Sequence, residues 1–436
     1  MPSGTAEPSH VLAIPAFRRL FAAQVVALVG TGLLTVALAL LAYDLAGDAA
    51  GAVLGTALAI KMIAYVTVAP VASALVDRLP TKGVLIAADA VRAGAALMLP
   101  FVDQVWQIYV LIFVLQAASA TFTPAFQAVI PSIVPSEYQY TRALTLSRLA
   151  YDLESLLSPL LAAALLTVVS FHSLFVGTAV GFVISAAMVM RTVLPTHIAP
   201  ERADTFASRA TKGVHAFFAN PVLRGLLALN VVVASATALV VVNTVIYVRD
   251  LFGGSNSAVA IALGIYGAGS MAVALCIPRV LLAISDRRVM LLGAFVSVVG
   301  TASAAVVSIT GGVWGWLALG TVWFVLGAGT SMISTPSARI LRRESTDLNR
   351  KSIYTAQFSL SHAAFLITYP VAGWVGAHAS QFTAAVTLAV LATLAALSAA
   401  HMWSRPHVAA HFASDEVTNA SAETRAAHQP RPRGGT

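Results

Sequence analysis

Apolar residues fill long, closely spaced stretches of this sequence, interrupted by short polar segments. A helix needs about 20 apolar residues to cross a bilayer, and most of the stretches reach that length. Alternating strands of about ten residues, as in a membrane β-barrel, do not fit such continuous runs. The pattern therefore predicts twelve membrane-spanning helices, at residues 20–42, 52–76, 83–102, 107–130, 143–169, 173–194, 222–248, 256–283, 289–310, 313–334, 352–376 and 381–403.

The composition agrees with a membrane protein. Hydrophobic residues make up 58% of the 436 residues and charged residues only 10%, whereas a soluble domain carries about 25% charged residues. This deficit excludes a soluble enzyme, a disordered chain and a nucleic-acid-binding protein. The formal net charge of +8 then indicates basic loops on one side of a membrane. A single cysteine, Cys276, excludes a disulfide within the chain and a cysteine metal site.

Basic residues collect in alternate loops between the predicted helices. The intervening loops carry Asp44, Asp48, Asp103 and Asp250, with Arg249 as their one basic residue. Because basic loops stay on the cytoplasmic side, this asymmetry predicts that both termini are cytoplasmic, in the cell (inner) membrane. The basic loops are those with Arg78, Lys82 and Arg142, and those at 191–224, 279–288 and 339–351.

A weak internal repeat divides the chain in two. The longest internal connection is the polar segment 195–221, with six predicted helices on either side. Similar short motifs recur about 210 residues apart, as parallel repeats do in some transporter folds. We expect an N-terminal half at 1–194, a cytoplasmic linker at 195–221, a C-terminal half at 222–403 and a disordered tail at 404–436. The repeated pairs are Asp77-Arg78 with Asp286-Arg287, Thr123-Pro124 with Thr335-Pro336, and Ser158-Pro159 with Tyr369-Pro370.

The loop between the second and third predicted helices carries a recognisable motif. Its sequence, SALVDRLPTK at Ser73–Lys82, resembles the signature of the major facilitator superfamily. The resemblance implies an all-α membrane fold of two pseudo-symmetric six-helix bundles. It also implies that Asp77, Arg78 and Lys82 brace the helix ends while the protein changes between two states. An acid near a helix N-terminus is stabilised by the helix dipole, and such a contact can break and re-form.

Two longer segments are similar to exporters of that superfamily. TFTPAFQAVIPSIVP at Thr121–Pro135 resembles siderophore, drug and nickel-resistance exporters, and Arg339–Gly376 resembles nickel-resistance permeases through AQFSLSH and TYPVAGW. The resemblance implies a proton-coupled antiporter that exports a toxic or surplus solute by alternating access. The favoured solute is a divalent transition metal such as nickel or cobalt. The alternative is an amphipathic organic compound, a drug or a siderophore.

Asp89 and Arg92 are opposite charges within the third predicted helix. A charge at the centre of a membrane helix costs about 2.5–3.5 kcal/mol on insertion scales. Residues three apart lie on one face of a helix, so the two side chains can neutralise each other. We expect a structural ion pair.

Four further titratable residues lie within predicted helices, namely Lys61, Asp152, Glu154 and His362. Each requires a partner or a polar cavity, so all four are candidates for binding the solute or coupling its movement to protons. Lys61 has the alternative of pairing with an acid of another helix, and His362 that of a hydrogen-bonded packing residue. Asp152 and Glu154 are about 200° apart around their helix, so both cannot face one cavity squarely.

Amides within the predicted helices extend this candidate site. Gln357, Asn230 and Asn243 are expected to line the cavity or to form hydrogen bonds between helices. Asp152, Glu154 and His362 together would offer oxygen and nitrogen ligands to nickel or cobalt.

No sequence motif for an enzyme is found. The chain lacks a Walker A loop, GxSxG and HExxH, which predicts a non-enzyme without a cofactor that is driven by an ion gradient. Its expected partners are the lipid bilayer and a small-molecule or metal-ion substrate, with no nucleic acid, and the protein is expected to be a monomer. The rival classes are a receptor or scaffold on a transporter fold and a membrane-embedded enzyme.

The charge asymmetry generates a topology prediction. Reporter fusions after Asp48, Asp103 and His378 should be active outside the membrane, and fusions after Lys82 and Thr211 should be active in the cytoplasm. Paired alkaline phosphatase and fluorescent-protein reporters measure both sides. Reversed signals at most of these sites would contradict the orientation.

Overall fold

The computed structural model describes residues 11–76, 79–134, 137–194, 206–346 and 349–404. Within them lie twelve helices of 18 residues or more and no strand, which confirms the all-α fold. The helices are α1 (Pro15–Ala46), α2 (Ala50–Val76), α3 (Thr81–Met98), α4 (Val105–Ile133), α5 (Glu137–Leu165), α6 (Phe171–Met190), α7 (Phe206–Ala219), α8 (Pro221–Ile246), α9 (Asn256–Ala283), α10 (Asp286–Val307), α11 (Gly312–Arg343), α12 (Arg350–Pro370), α13 (Gly376–His378) and α14 (Gln381–Ser404).

Ten stretches of the described residues are long and apolar enough to cross a membrane. The first, Pro15–Val68, contains α1 and much of α2, which are separated only by a short 3-10 turn at Gly47–Ala49. Helix α5 is not among the ten, and its sequence carries several charged residues. The protein is thus a multi-pass membrane protein in which one long helix is unusually polar.

Local sequence signals fix where several helices begin. The Asn220 side chain accepts a hydrogen bond of 2.8 Å from the amide of Val222 at the start of α8. The Ser255 hydroxyl accepts one of 3.2 Å from the amide of Ala258 at the start of α9. Such caps satisfy amide groups that have no partner within the helix, which matters most where water is scarce.

The segment predicted as a polar linker is not a loop throughout. Residues Phe206–Ala219 form helix α7, which packs against α12 and α8. It carries Arg209, Lys212 and His215, but Phe217 is fully buried in a cluster with apolar residues of α8. The helix is amphipathic, a property that a count of polar residues does not reveal.

The long helices contact one another in two groups, α1–α6 and α8–α14. The groups meet mainly where α5 packs on α9 and where α2 packs on α12 and the π-helical turn Val371–Val375. We call the bundle end at which α1 begins and α14 finishes the terminal end, and the other end the opposite end. Movement of the two groups as separate halves stays a prediction.

Glycines allow α9 and α11 to lie in very close contact. A Cβ atom built on Gly269 would lie 2.0 Å from the carbonyl oxygen of Phe324, and one on Gly327 would lie 1.9 Å from that of Tyr266. No side chain fits at either distance. Close backbone approach through small residues is a usual way to pack helices in a membrane, where no hydrophobic effect drives the helices together.

This packing gives a stability prediction. Gly269→Ala should destabilise the protein by about 1–3 kcal/mol or more, because the methyl group would force α9 away from α11. Heating detergent-solubilised protein and following the monodisperse fraction by size-exclusion chromatography would measure the loss.

Gly94→Ala in α3 is the matched control, since a Cβ there meets no atom within 4 Å. This variant should keep or slightly raise the stability, because alanine is favoured over glycine in a helix by roughly 0.5–1 kcal/mol. Equal stability of the two variants would contradict the packing argument.

Candidate functional site

A cavity of about 380 Å³ lies between the two helix groups. Helices α1 and α5 form one wall, and α8, α9 and α11 form the other. The lining is mixed, with apolar side chains, several hydroxyl groups and one carboxylate. The lining residues are Gly32, Thr35, Val36, Glu154, Pro159, Val233, Thr237, Val241, Leu263, Tyr266, Gly267, Ser270, Met271, Ala274, Thr330, Ser331, Ser334 and Thr335.

Glu154 is the one charged residue among the described residues that line the cavity. Its carboxylate lies against α1, since a Cβ built on Gly32 would be 2.7 Å from Glu154 Oε1. The same Cβ would collide with Ser158, one turn further along α5, at 2.0 Å from its Cβ. The Glu154 carboxylate can therefore occupy this position because residue 32 has no side chain.

Lys61 of α2 lies within electrostatic range of Glu154. The described residues show no direct ion pair between the two side chains and no hydrogen bond to the Glu154 carboxylate. Glu154 is thus attracted by a cation that it does not touch.

A chain of hydroxyl groups forms part of the facing wall. The Tyr266 hydroxyl is 3.0 Å from Thr237 Oγ1 and 3.2 Å from Thr330 Oγ1. Thr330 in turn donates to the carbonyl oxygen of Gly327 at 3.0 Å. The chain connects α8, α9 and α11, and it offers polar contacts to a bound molecule.

His362 lies beside α2 and is not among the lining residues. Its Nδ1 donates to the carbonyl oxygen of Phe358 at 2.7 Å, and its ring stacks on Tyr65 with 5.6 Å between ring centroids. Lys61 acts on His362 electrostatically. Lys61 therefore acts electrostatically on both an acid of α5 and an imidazole of α12.

The three candidate amides form hydrogen bonds between helices. Asn230 donates to Gln357 Oε1 at 3.3 Å, which links α8 to α12. Asn243 is fully buried and donates to Gln381 Oε1 at 2.6 Å and to the carbonyl oxygen of Ala372 at 3.2 Å. None of these amides is among the described residues that line the cavity.

Several predicted residues lie outside the described part of the chain. These are Asp77, Arg78, the side chain of Asp152 and the tail after Ser404. Lys82 is described and is half-buried in the first turn of α3. Among described residues no group of three or more His, Cys, Asp or Glu side chains could hold a metal ion.

Asp89 and Arg92 form a buried ion pair within α3. Ser185 donates to Asp89 Oδ2 at 2.7 Å, and the Arg92 guanidinium lies over the rings of Phe122 and Phe182 at 4.2 and 4.5 Å. Both charges are satisfied by α3, α4 and α6. The pair lies away from the cavity and joins helices of one group.

Several contacts between described residues join the two helix groups at the opposite end. The Tyr43 hydroxyl at the end of α1 donates to Asp250, directly after α8. Trp374 Nε1 donates to Thr56 Oγ1 at 3.0 Å. A Cβ built on Gly55 would lie 2.5 Å from the carbonyl oxygen of Tyr369, so α2 and α12 also touch closely there.

A charged cluster lies at the terminal end of the second group. Asp286 occupies the position in the second half that corresponds to Asp77 in the internal repeat. Its carboxylate oxygens lie 3.4 Å from a guanidinium nitrogen of Arg339 and 3.7 Å from one of Arg343. Asn220 donates to Glu344 Oε2 at 2.8 Å. The cluster ties the starts of α8 and α10 to the end of α11.

Sequence reasoning missed the hydroxyl groups of the cavity and the Tyr43–Asp250 contact. Hydroxyl residues recur on one face of α11 at helical spacing, and this pattern in the sequence could have indicated the polar wall. They are Thr330, Ser331, Ser334 and Thr335. The Tyr43–Asp250 contact joins residues 207 apart in sequence, and no pattern along the chain predicts it.

The Major Facilitator Superfamily family model matches residues 20–321 of this chain. Macrolide efflux protein A of Streptococcus pyogenes is 29% identical over 184 residues, which cover 41% of this chain and 45% of that protein. Macrolide efflux protein A of Enterococcus faecalis is 29% identical over 152 residues, 33% of this chain and 47% of that protein. The chain thus spans about half the length of the curated relatives it matches.

Solved structures share the fold. The nucleoside transporter NupG has a TM-score of 0.67 at 16% identity, covering 89% of this chain and 99% of its own. A bacterial homologue of the human lysosomal transporter Spinster, in an inward-facing and unoccupied conformation, has a TM-score of 0.68 at 11% identity over 91% of this chain and 98% of its own. At these identities the likeness concerns the fold alone. Because the family model covers more than half of the residues, the chain belongs to the major facilitator superfamily.

Proposed function

We propose that this protein is a secondary transporter that exports an amphipathic organic compound by alternating access. The observation that carries the proposal is the cavity between the helix groups. Its volume of about 380 Å³ is in the range of small-molecule sites, which are mostly apolar with a few placed polar groups. The names of the macrolide efflux relatives support the same class of solute.

The metal alternative has less support. A nickel or cobalt site needs several nitrogen and oxygen ligands converging on one point. Among the described lining residues, Glu154 is the single charged ligand, and His362 is not a lining residue. Mixed apolar and hydroxyl walls suit an organic molecule better than a bare ion. Nickel or cobalt export therefore becomes the second choice.

Alternating access would use the two helix groups as its moving parts. The contacts at Tyr43–Asp250 and Trp374–Thr56 hold the groups together at the opposite end. If both termini are cytoplasmic, this arrangement is closed to the outside, and release of the solute requires those contacts to break. Gating by Asp77, Arg78 and Lys82, and proton coupling through Asp152, Glu154 or His362, stay predictions.

An accumulation assay tests the solute class. Cells that express the protein should accumulate less of a labelled macrolide than cells with an empty vector, while their uptake of nickel and cobalt is unchanged. Glu154→Gln should abolish most of the export, because it removes the single described charge of the cavity.

Asp48→Asn is the matched control, since Asp48 lies in the exposed turn outside the cavity. It should export as the wild type does, with both variants present in the membrane at equal amounts. If expression lowered the accumulation of nickel or cobalt and left macrolide accumulation unchanged, metal export would become the preferred function and export of an organic compound the second choice.

The closed end gives a second functional prediction. Tyr43→Phe removes a hydrogen bond to a charged group, and such a bond contributes about 1.5–3 kcal/mol. The variant should therefore shift the equilibrium by about tenfold or more toward the state that is open at the opposite end. A cysteine at Thr35 in a Cys276→Ser background would report the shift, because Thr35 lines the cavity and is partly exposed. Its labelling by an impermeant maleimide from outside the cell should rise.

Tyr109→Phe makes the same chemical change near the same end, in the second turn of α4, where the described residues show no hydrogen bond from the Tyr109 hydroxyl. Labelling in this control should match the parent protein. No increase in Tyr43→Phe would mean that this contact does not hold the end closed.

A further inference from the structure

Three exposed arginines lie at the terminal end of the second helix group. They are Arg279, Arg288 and Arg342, and no group in the described part of the chain accepts a hydrogen bond from their side chains or forms an ion pair with them. Each lies at or beside the end of a candidate membrane span, at Asn256–Ile277, Asp286–Val307 and Gly312–Arg343. Long basic side chains near helix ends reach the membrane interface, so the three charges lie at the depth of the lipid headgroups.

The helix ends that carry these arginines meet at one place. Only Ile284 and Ser285 separate the end of α9 from the start of α10. The start of α10 is in turn tied to the end of α11, because Asp286 pairs with Arg339 at 3.4 Å and with Arg343 at 3.7 Å. Helix α11 also packs against both α9 and α10. The three exposed arginines therefore belong to one surface, which we call the arginine surface.

The described acids at this end of the second group do not neutralise the arginine surface. The side chain of Asp286 is 5% exposed and is paired with the end of α11. That of Glu344 is 9% exposed, lies 3.6 Å from Arg343 and accepts a hydrogen bond of 2.8 Å from Asn220. Both carboxylates are thus used within the protein. Among the described residues, the exposed charge that remains at this end of the group is positive.

Exposed apolar side chains continue from the arginines along α9 and α10. They recur three or four residues apart and therefore share a helix face with the arginine beside them. The rows are Leu275 and Leu282 around Arg279, and Leu292, Phe295 and Val299 after Arg288. A positive group at the end of an apolar row matches a phospholipid, in which a charged headgroup is joined to acyl chains.

The first helix group does not repeat this arrangement. Helix α4 corresponds to α11 in the internal repeat, through Thr123-Pro124 and Thr335-Pro336, and contains no lysine or arginine. Helix α11 carries three arginines near its end, Arg339, Arg342 and Arg343. The tendency of basic residues to remain on one side of a membrane acts on both halves alike. It does not by itself account for arginines that collect in only one of them.

We propose that the arginine surface binds the headgroup of an anionic phospholipid, whose acyl chains lie along α9 and α10. Guanidinium groups form paired hydrogen bonds with phosphate oxygens, and anionic lipids attract each basic residue near the membrane surface. A zwitterionic lipid has the same phosphate but adds a cation that the arginines repel, so it binds more weakly. The site is separate from the cavity and does not depend on which solute is exported. Because α9 and α11 also line the cavity, the lipid holds together the ends of two of its helices.

Native mass spectrometry of the full-length protein, released from detergent micelles, tests this assignment by counting bound lipids. The probes are dioleoyl phosphatidylglycerol, which is anionic, and dioleoyl phosphatidylcholine, which has the same chains and no net charge. The Kd for the first phosphatidylglycerol should be lower by about tenfold or more. Arg288→Gln should weaken phosphatidylglycerol binding by about fivefold, the factor expected for one arginine near an anionic lipid. It should leave phosphatidylcholine binding unchanged.

Arg191→Gln is the matched control. Arg191 is an exposed arginine at the same end of the first group, where α6 finishes. This variant loses the same charge and should bind both lipids as the wild type does. The triple variant with Arg279→Gln, Arg288→Gln and Arg342→Gln should lose the preference for phosphatidylglycerol. Size-exclusion chromatography establishes that each variant is folded, and the three single variants carry the test if the triple variant is not.

A competition experiment distinguishes a lipid from a free anion. Glycerol 3-phosphate has the charged part of the headgroup without acyl chains, and an excess of it should not displace phosphatidylglycerol. Displacement at equal concentrations would overturn the lipid assignment in favour of an anion site. Equal affinity of the wild type for the two lipids would also overturn the proposal. So would an equal loss of phosphatidylglycerol binding in Arg191→Gln and Arg288→Gln, because the attraction would then be general to this end of the protein.

Discussion

Charges within apolar helices have to be neutralised or hydrated, because hydrocarbon offers them no partner. The protein meets this requirement in two ways. Asp89 and Arg92 neutralise each other, and Ser185 and two phenylalanine rings complete their surroundings. Such a pair is costly to break, since removing one partner leaves the other buried without compensation. It holds three helices of one group together and leaves nothing for a ligand to bind.

Glu154 meets the same requirement in the other way. Its carboxyl group has no hydrogen bond or ion pair with any described residue, and Glu154 lines the cavity. A site that is incompletely neutralised is available to bind a ligand, whereas a fully paired one is not. Asp89 and Glu154 therefore differ in their surroundings: Asp89 is paired within one helix group, whereas Glu154 lines the cavity between the groups.

The sequence predicts interactions within one helix better than those between helices. The spacing of Asp89 and Arg92 predicts their pairing, because residues three apart share a helix face. Nothing in the sequence pairs Asn230 with Gln357 or Asn243 with Gln381, which are 127 and 138 residues apart. The number of long helices follows from apolar length, but the helical part of the linker does not, since α7 is amphipathic rather than apolar. The cavity needs the three-dimensional arrangement, because its walls come from five helices.

The position of the cavity relates ligand binding to movement of the helix groups. Glu154 belongs to one group and the Thr237–Tyr266–Thr330 hydroxyls belong to the other. A molecule that contacts both walls favours the arrangement in which both are within its reach. A ligand shifts a conformational equilibrium only when it binds the two states with different affinities. A site whose contacts all belong to one group would keep those contacts in both states, and its affinity would not change. The inter-group contacts at the opposite end, such as Tyr43–Asp250, do not involve the cavity. If the two groups move as proposed, occupancy of the cavity and closure of that end would act on the same equilibrium, and a change at either would be felt at the other.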